Sequence, residues 1–409
     1  MKLLVISLIF PNSEAPLKGI FVLRQLEALA NTGVEIKVVA PVAATPWLLA
    51  RLRKKWRKYR AVEKQKELNG ITTYYPRYFR PPGRFFRPYA GASMYFSLYS
   101  YLHKLNEQFP FDAILANGLT PDGELALRLG KKLNVPAYCY AMGSDILLYP
   151  KESKNMHRLS RRTLSQLNGI ISHGNELKRE IFRLEPGTKH VKSIYRGCNL
   201  HIFRPDCNKR KAIRHLLNVD KNQILCLFSG NIVRAKGIVE ILTVFKNIFK
   251  KRQDVMLILC GAQPDKKLRN EVSSWIIENG FEKCAIMQGP VPHEQIPGYL
   301  NAADIFLFPS WQEGLPNAVI EAAACRLPIV GTSIPGVLEI LGDAGSELLF
   351  PPKDINAFKG ILSCLLDSQE KRKKYADLAF ERVQTNFDVA TNIHHLKNYI
   401  FPTWKQDRK

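Results

Sequence analysis

A strand–loop–helix unit near the carboxyl end of the chain constrains the fold most strongly. Residues 303–310, ADIFLFPS, form a short apolar run that predicts a buried strand ending in a loop. The sequence EGLPNAVIE follows at residues 313–321, and Pro316 suits the first helical position because it has no N–H group to leave unpaired. The free N–H groups and the dipole of such a helix start form an anion site. Glu313 would lie at the mouth of the loop and Glu321 about one turn into the helix.

Two carboxylates beside an anion site suit a ligand with phosphates at one point and hydroxyl groups on either side. A nucleotide-sugar fits this arrangement, because carboxylate oxygens accept hydrogen bonds from paired sugar hydroxyls. The alternative is an ordinary βα unit with a capping glutamate and a solvated helical glutamate. The spacing alone does not decide between the two.

The neighbouring segments favour ligand binding. The stretch resembles the E-x7-E signature of the retaining glycosyltransferases of family 4, and residues 289–291 and 335–339 match that family as well. The resemblance implies the GT-B fold, an α/β architecture in which two Rossmann-like domains face each other across a cleft. In that fold a C-terminal helix crosses back to the N-terminal domain. The sequences FPN at residues 10–12, GIFV at residues 19–22 and PDG at residues 121–123 most resemble bacterial transferases of surface-polysaccharide assembly, including those of the teichuronic-acid type.

Length and composition agree with a multidomain globular protein. A chain of 409 residues predicts roughly two or three domains, and 46% hydrophobic residues favour packed cores over disorder. The eight cysteines occur without a C-x-x-C pair, which is typical of reduced thiols in a cytoplasmic protein. No apolar run approaches the roughly 18 residues of a transmembrane helix. The net charge of +24 indicates an anionic partner: nucleic acid, an anionic membrane or phosphorylated substrates.

The first forty residues have a βαβ pattern typical of a Rossmann-like domain. Residues 3–10 and 34–40 predict strands, and a helix is predicted from Gly19 to about Asn31. Gly19 matches a glycine-containing loop that the resemblance places close to the acceptor and the donor phosphates. A helix start that happens to be a glycine is the alternative.

The resemblance also implies the domain boundaries. We expect the N-terminal, acceptor-side domain to span residues 1–205 together with a crossing-back helix at residues 386–409. The nucleotide-sugar-binding domain would span residues 206–385, with the polar stretch at 206–211 as the boundary.

Two basic segments mark the N-terminal half. Residues 46–60 have a helical pattern that places Leu48, Leu52, Trp56 and Tyr59 on one face and basic residues on the others. Residues 77–88 interleave arginines with aromatic rings, and their prolines favour a loop.

Three interpretations of these segments remain: a solvated helix with an ordinary core face, a nucleic-acid site and a docking surface for an anionic membrane. We favour the membrane, where each basic residue contributes about 1 kcal/mol and aromatic rings enter the headgroup layer. No recognised nucleic-acid motif accompanies the segments, so no nucleic-acid partner is expected. The protein would then be cytoplasmic and peripheral on the inner membrane face.

Loops after other predicted strands supply the candidate acceptor-side residues. Residues 142–145 read MGSD where the family commonly reads HGSD, which implies a cleft-facing role for the last three, Gly143, Ser144 and Asp145. Met142 replaces a histidine that often contacts the donor sugar in the family, and Asn117 replaces a second loop histidine.

Two further positions lie near predicted strand ends. His173 follows a strand and could face the cleft, although a single histidine is more often structural. The family's Asn-Gly-Val-Asp turn corresponds to residues 196–199, where Arg196 and Asn199 replace its two polar members.

The candidate phosphate loop reads GNIVRAKG at residues 230–237, after a predicted strand at residues 224–229. A glycine-bounded basic loop between a strand and a helix can clamp a pyrophosphate. Lys236 and Gly237 match the family, Asn231 replaces its usual arginine, and Arg234 is a possible substitute. A solvated basic loop is the alternative.

Together the residues and the resemblance predict a metal-independent retaining glycosyltransferase that moves a hexose-type sugar from a nucleotide diphosphate-sugar to a glycan acceptor, which we expect to be lipid-linked. Lys236, with Arg234, would neutralise the leaving diphosphate, and Glu313 would bind the hydroxyls of the donor sugar. Other donor contacts are expected at Gly230, Asn231, Gly314, Leu315, Asn317 and Glu321. The absence of a D-x-D motif fits metal independence, so no cofactor is expected. The alternatives are a nucleotide-sugar epimerase of the same fold, a non-catalytic nucleotide-sugar-binding protein and a nucleic-acid-binding protein.

Overall fold

The computed structural model describes residues 1–16, 18–44, 54–80 and 83–402, which form two compact units. Unit 1 comprises Met1–Arg196 and the segment from Ala390 onward, and unit 2 comprises Gly197–Val389. Most of the predicted basic helix, residues 45–53, and the chain end from residue 403 lie outside the described residues.

Unit 1 is built on an eight-stranded sheet with the order β10-β9-β8-β7-β1-β2-β5-β4. All neighbouring strands are parallel except β4 and β5. A short pair, β3 with β6, lies apart from this sheet. The strands are β1 Lys2–Ile6, β2 Glu35–Val39, β3 Val42–Ala43, β4 Gln65–Leu68, β5 Ile71–Tyr74, β6 Arg77–Tyr78, β7 Ala113–Asn117, β8 Ala137–Tyr140, β9 Gly169–Ser172 and β10 Val191–Ser193.

The central strands of unit 1 are short runs rich in Val, Ile, Leu and Ala, as expected for strands buried on both faces. Helices cover the sheet and bury their apolar sides against it, with Leu98, Leu102 and Leu105 as one such row. The helices are Ile20–Ala30, Lys54–Ala61, Ala90–Gln108, Glu124–Leu133, Ser144–Leu147, Lys154–Gln166, Asn175–Leu184 and Val389–Ile400, with shorter helical turns at Arg84–Tyr89, Leu119–Gly123 and Tyr149–Lys151.

Unit 2 has a six-stranded, wholly parallel sheet with the order β13-β12-β11-β14-β15-β16. Its strands are β11 Ile224–Ser229, β12 Val255–Cys260, β13 Ala285–Gly289, β14 Ile305–Phe308, β15 Ile329–Thr332 and β16 Leu349–Phe350. Its helices are Cys207–Leu216, Ile238–Phe249, Lys266–Glu278, Ile296–Ala302, Asn317–Ala324, Pro335–Leu341, Ile355–Asp367 and Gln369–Asn386, with 3-10 turns at Arg234–Lys236, His293–Gln295 and Asp343–Leu348.

Two local predictions were wrong. The helix of the E-x7-E stretch begins at Asn317, and Pro316 is the residue before it with ψ of 111°, outside the helical range. At the polar stretch of residues 206–211 the helix Cys207–Leu216 begins, and the Asp206 carboxylate accepts hydrogen bonds from the Asn208 and Lys209 amides. The two compact units divide between Arg196 and Gly197.

The second wrong prediction is the loop at residues 77–88. Arg77–Tyr78 is a strand, and Arg84–Tyr89 is a 3-10 helix that contains Pro88. A proline is tolerated there because so short a helix loses a single hydrogen bond.

The helix Val389–Ile400, the last one within the described residues, packs on unit 1. Lys397 Nζ donates a 2.6 Å hydrogen bond to the Thr32 carbonyl, and the Tyr399 ring meets the Tyr138 ring edge-on at 5.8 Å. The Tyr399 hydroxyl donates to the His190 carbonyl. The chain end therefore returns to the unit that the chain start builds. Within the residues that the structure describes, no helix has the length and apolar character needed to span a membrane.

Candidate active site

Two loops meet at the carboxyl edge of the sheet in unit 2. β11 and β14 are parallel neighbours, so the loops that follow them start side by side. The Trp311 amide donates a 2.9 Å hydrogen bond to the Ala235 carbonyl, which ties the loops together. Gly237 has φ of 75°, and a Cβ there would lie 2.2 Å from the Pro309 carbonyl oxygen. Only glycine permits this close approach, so the sequence KG at residues 236–237 fixes where Lys236 lies.

Lys236 and Glu313, predicted from separate motifs, form an ion pair at this junction. Lys236 Nζ donates to Glu313 Oε1, and both side chains remain about one quarter exposed, at 27% and 23%. The Ser310 hydroxyl donates a 3.1 Å hydrogen bond to the same carboxylate oxygen. The Ser310 carbonyl in turn accepts a 2.6 Å hydrogen bond from Thr332 on β15. The pair is therefore held in place yet accessible to a ligand.

The helix Asn317–Ala324 starts beside this pair without a capping side chain. Gly314 and Asn317 are exposed, Leu315 is half-buried, and a Cβ placed on Gly314 would meet no atom within 4 Å. An uncapped helix start with open space in front of it is suited to phosphate or hydroxyl oxygens.

Glu321, one turn into that helix, is paired with a residue that the sequence reasoning left out of the site. The ring Nε2 of His293 lies 3.1 Å from Glu321 Oε1, and the His293 ring meets the Phe203 ring edge-on at 5.4 Å. His293 begins the 3-10 turn after β13, so its place beyond a strand end was a usable signal.

The remaining donor-side residues do not join the Lys236–Glu313 pair. Arg234 forms an ion pair with Glu271 on the helix Lys266–Glu278, with the two side chains 47% and 39% exposed. Asn231 is exposed, and the half-buried Gly230 donates its amide to the Cys260 carbonyl at 2.9 Å. Arg234 would have to leave Glu271 before it could contact a phosphate near Lys236.

In unit 1 the predicted acceptor-side residues divide into buried and accessible ones. Asn117 is buried and donates a 3.1 Å hydrogen bond to the Ser7 hydroxyl. Asp145 is also buried, and its two oxygens accept hydrogen bonds from the Leu119 and Met142 amides at 2.6 and 2.9 Å. These two side chains shape the loops and are not presented to solvent.

Gly19, Gly143 and Ser144 are backbone and surface positions. Gly19 precedes the helix Ile20–Ala30 with φ of 68°, where a Cβ would lie 2.2 Å from the Ile9 carbonyl oxygen. Gly143 is half-buried and Ser144 exposed at the start of a four-residue helix. His173 follows β9 and stacks on Tyr140 with ring centroids 4.2 Å apart.

Asp122 is a further unusual carboxyl group that the sequence analysis did not single out. It is buried, accepts a 2.9 Å hydrogen bond from the Leu8 amide, and leaves Oδ1 without a partner. Burial raises the pKa of Asp122 to about 8, and the nearby Asp145 adds to the shift. Within the described residues, no cluster of three or more His, Cys, Asp or Glu side chains could hold a metal ion.

Family models match both units of the chain. The model described as "Glycosyl transferases group 1" matches residues 209–382, and the model "Glycosyltransferase Family 4" matches residues 19–201. The chain belongs to the group 1 glycosyltransferases of the family 4 type. The predicted family and the predicted enzyme class, a transferase, are thereby confirmed.

Known proteins similar to this glycosyltransferase agree. TuaC of Bacillus subtilis, named for teichuronic acid biosynthesis, is 28% identical over 400 residues, which cover 97% of each chain. Sucrose-phosphate synthase of Thermosynechococcus elongatus is a structural neighbour with a TM-score of 0.73 at 17% identity, covering 99% of this chain and 98% of that one. HepE of Anabaena, solved with UDP, has a TM-score of 0.71 at 16% identity, covering 97% and 99%. These likenesses confirm the predicted α/β fold of the GT-B type.

Proposed function

We propose that this glycosyltransferase moves a hexose-type sugar, with retention of anomeric configuration, from a nucleoside diphosphate-sugar to a glycan acceptor of surface-polysaccharide or glycolipid assembly. The Lys236–Glu313 pair in front of the uncapped start of Asn317–Ala324 carries the proposal. HepE was solved with UDP, which supports the nucleotide-sugar donor, and the relatives TuaC and CapM are named for teichuronic acid and capsular polysaccharide biosynthesis, which supports the glycan acceptor.

The chemistry follows from where charge builds as the sugar leaves. Breaking the bond between the anomeric carbon and the phosphate oxygen places negative charge on the diphosphate. Lys236 is positioned to neutralise that charge, and the amides near Gly314 and Leu315 add hydrogen bonds to phosphate or sugar oxygens. Glu313 then accepts hydrogen bonds from donor-sugar hydroxyls, and Glu321 from the ribose hydroxyls. We assign no nucleophile and no general base, because attack from the face of the departing phosphate lets the phosphate oxygens accept the acceptor proton.

Binding the donor requires the ion pair to open. In the unliganded protein the carboxylate of Glu313 and the ammonium of Lys236 satisfy each other. A diphosphate-sugar offers a partner to both, with phosphate for the lysine and hydroxyls for the glutamate. The exchange is favourable because neither charge is left unpaired when the pair separates.

A donor screen followed by product analysis tests the proposal. Thermal shift of the full chain against UDP-, GDP- and ADP-sugars identifies the donor, and NMR of the glycoside formed gives the anomeric configuration. We expect one nucleotide class to raise Tm, retention in the product and no loss of activity in EDTA. Glu313→Ala should abolish turnover while Glu180→Ala, at an exposed ion pair on Asn175–Leu184, should not. Inversion, or dependence on a divalent cation, contradicts the proposed mechanism.

We further propose that unit 1 docks on an anionic membrane, where a lipid-linked acceptor would reside. Five aromatic residues near the second basic segment form what we call the aromatic patch: Phe79, Phe85, Phe86, Tyr89 and Phe96. Phe85 is 76% and Phe96 77% exposed, which is unusual for side chains of this size.

Two members of the aromatic patch, Phe79 and Phe96, share one side of the helix Ala90–Gln108. The backbone of Phe79 is hydrogen-bonded to the hydroxyls of Ser93 and Ser97, on the helical face that also carries Phe96. The exposed Arg80 follows Phe79 directly. Rings beside cations are suited to an anionic headgroup layer.

Vesicle sedimentation tests the membrane proposal. The full chain should bind phosphatidylglycerol vesicles far better than phosphatidylcholine vesicles, and the double variant Phe85→Ser/Phe96→Ser should lose most of that binding. Phe182→Ser, which changes an exposed ring on a different helix, is the matched control. Equal binding by the double variant and the wild type contradicts docking through the aromatic patch.

A further inference from the structure

Arg196 is a half-buried cation for which the described part of the chain provides no carboxylate partner. It follows β10, and its guanidinium lies 4.1 Å from the Phe21 ring centroid and 5.4 Å from that of Tyr140. One terminal nitrogen contacts the Met142 sulfur at 3.2 Å, while Nε is buried without a hydrogen-bond partner. Burial lowers the pKa of Arg196 to about 10, so the side chain is still charged at neutral pH.

A largely buried guanidinium without a counter-charge destabilises the protein unless a bound anion pairs with it. Withdrawing a cation from water without a counter-charge costs several kcal/mol, and contacts with rings and a thioether offset that only in part. A hydrophobic side chain would fill the same place without the penalty. The charge at Arg196 is therefore better explained by an anion that binds there than by the stability of the unliganded fold.

The neighbouring His173 limits the charge that the bound anion can carry. His173 stacks on Tyr140, and its Nε2 is buried without a partner. Burial, with the charge of Arg196 added, holds the pKa of His173 well below its usual value, so the ring is neutral. The cluster thus offers one positive charge and one additional neutral hydrogen-bonding nitrogen, which matches a singly charged group such as a carboxylate better than the dianion of a phosphate monoester.

The cluster lies where parallel sheets bind ligands. Met142, His173 and Arg196 follow the carboxyl ends of β8, β9 and β10, which are consecutive neighbours in the sheet. All three residues and Phe21 remain partly exposed, and a Cβ placed on Gly143 would meet no atom within 4 Å. A ligand can therefore approach the guanidinium from this edge.

The cluster also joins two departures from the family pattern. Met142 stands in place of a histidine and Arg196 in place of an asparagine, and the two side chains are in contact. A neutral thioether beside the guanidinium allows the arginine to lie there, whereas a protonatable ring would compete with it for the same anion. The two changes therefore act together on what this place can bind.

We propose that Arg196 and His173 bind the carboxylate of a sugar acid, so that one of the two substrates of this enzyme carries a hexuronate. A planar guanidinium edge matches a planar carboxylate, and the rings of Phe21 and Tyr140 hold that edge in place. The inference rests on the proposed function, because it names the class of substrate that the same enzyme uses. The carboxylate belongs to the donor sugar or to the acceptor, and the two sources are separated by experiment.

Two matched ligand pairs test the inference on the full chain by titration calorimetry. The donor arm compares UDP-glucuronate with UDP-glucose, and the acceptor arm compares p-nitrophenyl glucuronide with p-nitrophenyl glucoside in the presence of UDP. In one arm the carboxylated ligand should bind about 10- to 100-fold more tightly than its neutral counterpart, as expected for a hydrogen-bonded charge pair. Preference in the first arm places the carboxylate on the donor, and preference in the second places it on the acceptor.

The variants separate recognition from structure. Arg196→Met should abolish the preference for the carboxylated ligand and leave the Kd of the neutral ligand within about threefold. Arg196→Lys should keep only part of the preference, because it keeps the positive charge but loses the planar fork. Tm of Arg196→Met should be unchanged or higher, since no ion pair is broken. His173→Phe, which keeps the stacking on Tyr140, should weaken the carboxylated ligand alone. Arg183→Met, at an exposed ion pair, is the control.

Three results would overturn the inference. The first is UDP binding with no carboxylate preference in either arm, which leaves the proposed function standing. The second is an equal loss for neutral and carboxylated ligands in Arg196→Met, which indicates a structural role. The third is failure of every nucleotide-sugar to bind, which removes the proposed function and this inference together.

Discussion

Replacing Lys236 by methionine should remove most of the catalysis and little of the stability. The side chain contacts Glu313 in the unliganded protein and lies at the loop junction where a diphosphate would bind. A unit charge about 4 Å from a phosphate oxygen contributes about 4 kcal/mol at an effective dielectric constant of about 20. Removing one preorganised charge-stabilising group typically costs about 2.7–4 kcal/mol of transition-state stabilisation, which corresponds to a loss of about 10²- to 10³-fold in rate. We expect kcat/KM to fall within that range.

The stability of the same variant gives an independent measurement. The Lys236–Glu313 pair keeps 27% and 23% of its side-chain surface exposed, so its loss should cost at most about 1 kcal/mol of unfolding free energy. Thermal melting should therefore shift by only about 2–4 °C in a unit of this size. Lys236→Arg retains the charge and should keep part of the activity. The assay is release of the nucleoside diphosphate from the donor under initial-rate conditions.

A specific result would refute this reasoning. If Lys236→Met loses less than about tenfold in kcat/KM while it melts normally, the lysine does not stabilise the leaving group. If melting falls together with activity, the pair supports the fold of the loops, which contradicts the prediction that stability changes little. Arg183→Met, which breaks an exposed ion pair, should change neither quantity.

Three further predictions concern single side chains. Glu321→Gln should raise KM for the donor about tenfold and change kcat less, because it removes binding that is common to the ground state and the transition state. Steady-state kinetics that show a loss mainly in kcat would contradict this. Asp122 has a pKa raised to about 8 by burial, so the folded protein keeps a proton that the unfolded chain releases near pH 4, and the unfolding free energy should fall as pH rises between those values. Urea unfolding of Asp122→Asn should show a flatter pH dependence, and an unchanged slope would contradict the assignment. Gly237→Ala should lower the free energy of unfolding by at least about 1–2 kcal/mol from the left-handed backbone alone, and by more because its Cβ would meet Pro309. Gly33→Ala is the control, because it has the same backbone strain with open space around it. Equal destabilisation of the two variants would count against the close approach.

The strands of unit 2 were predictable because local signals agree there. β11 and β12 coincide with the apolar runs at residues 224–229 and 255–260, each followed by a glycine. Strand order is not a local property, however. The contact of Lys236 with Glu313 depends on β11 and β14 being neighbours, and only the resemblance suggested that from the sequence.

Features that depend on distant contacts were beyond the sequence. Arg234 was predicted at the phosphate site, but its partner Glu271 comes from the helix Lys266–Glu278, which follows the helix Ile238–Phe249 and the strand β12. The contact of Arg196 with Met142 joins two loops far apart in sequence, and the burial of Asp122 depends on the Leu8 amide.

The helix Ala90–Gln108 was missed for a different reason. Its exposed Phe96 and Tyr101 add apolar residues outside the buried face. That blurs the 3.6-residue period by which amphipathic helices are recognised.

The return of the last helix to unit 1 has a consequence for biosynthesis. Unit 2 is encoded within residues 197–389, so all of its strands have left the ribosome before Lys397 and Tyr399 are made. Domains usually fold in the order of their synthesis. Here the unit whose first strands are translated first becomes complete only when residues 390–400 have been made, although every strand of unit 2 precedes them in the chain.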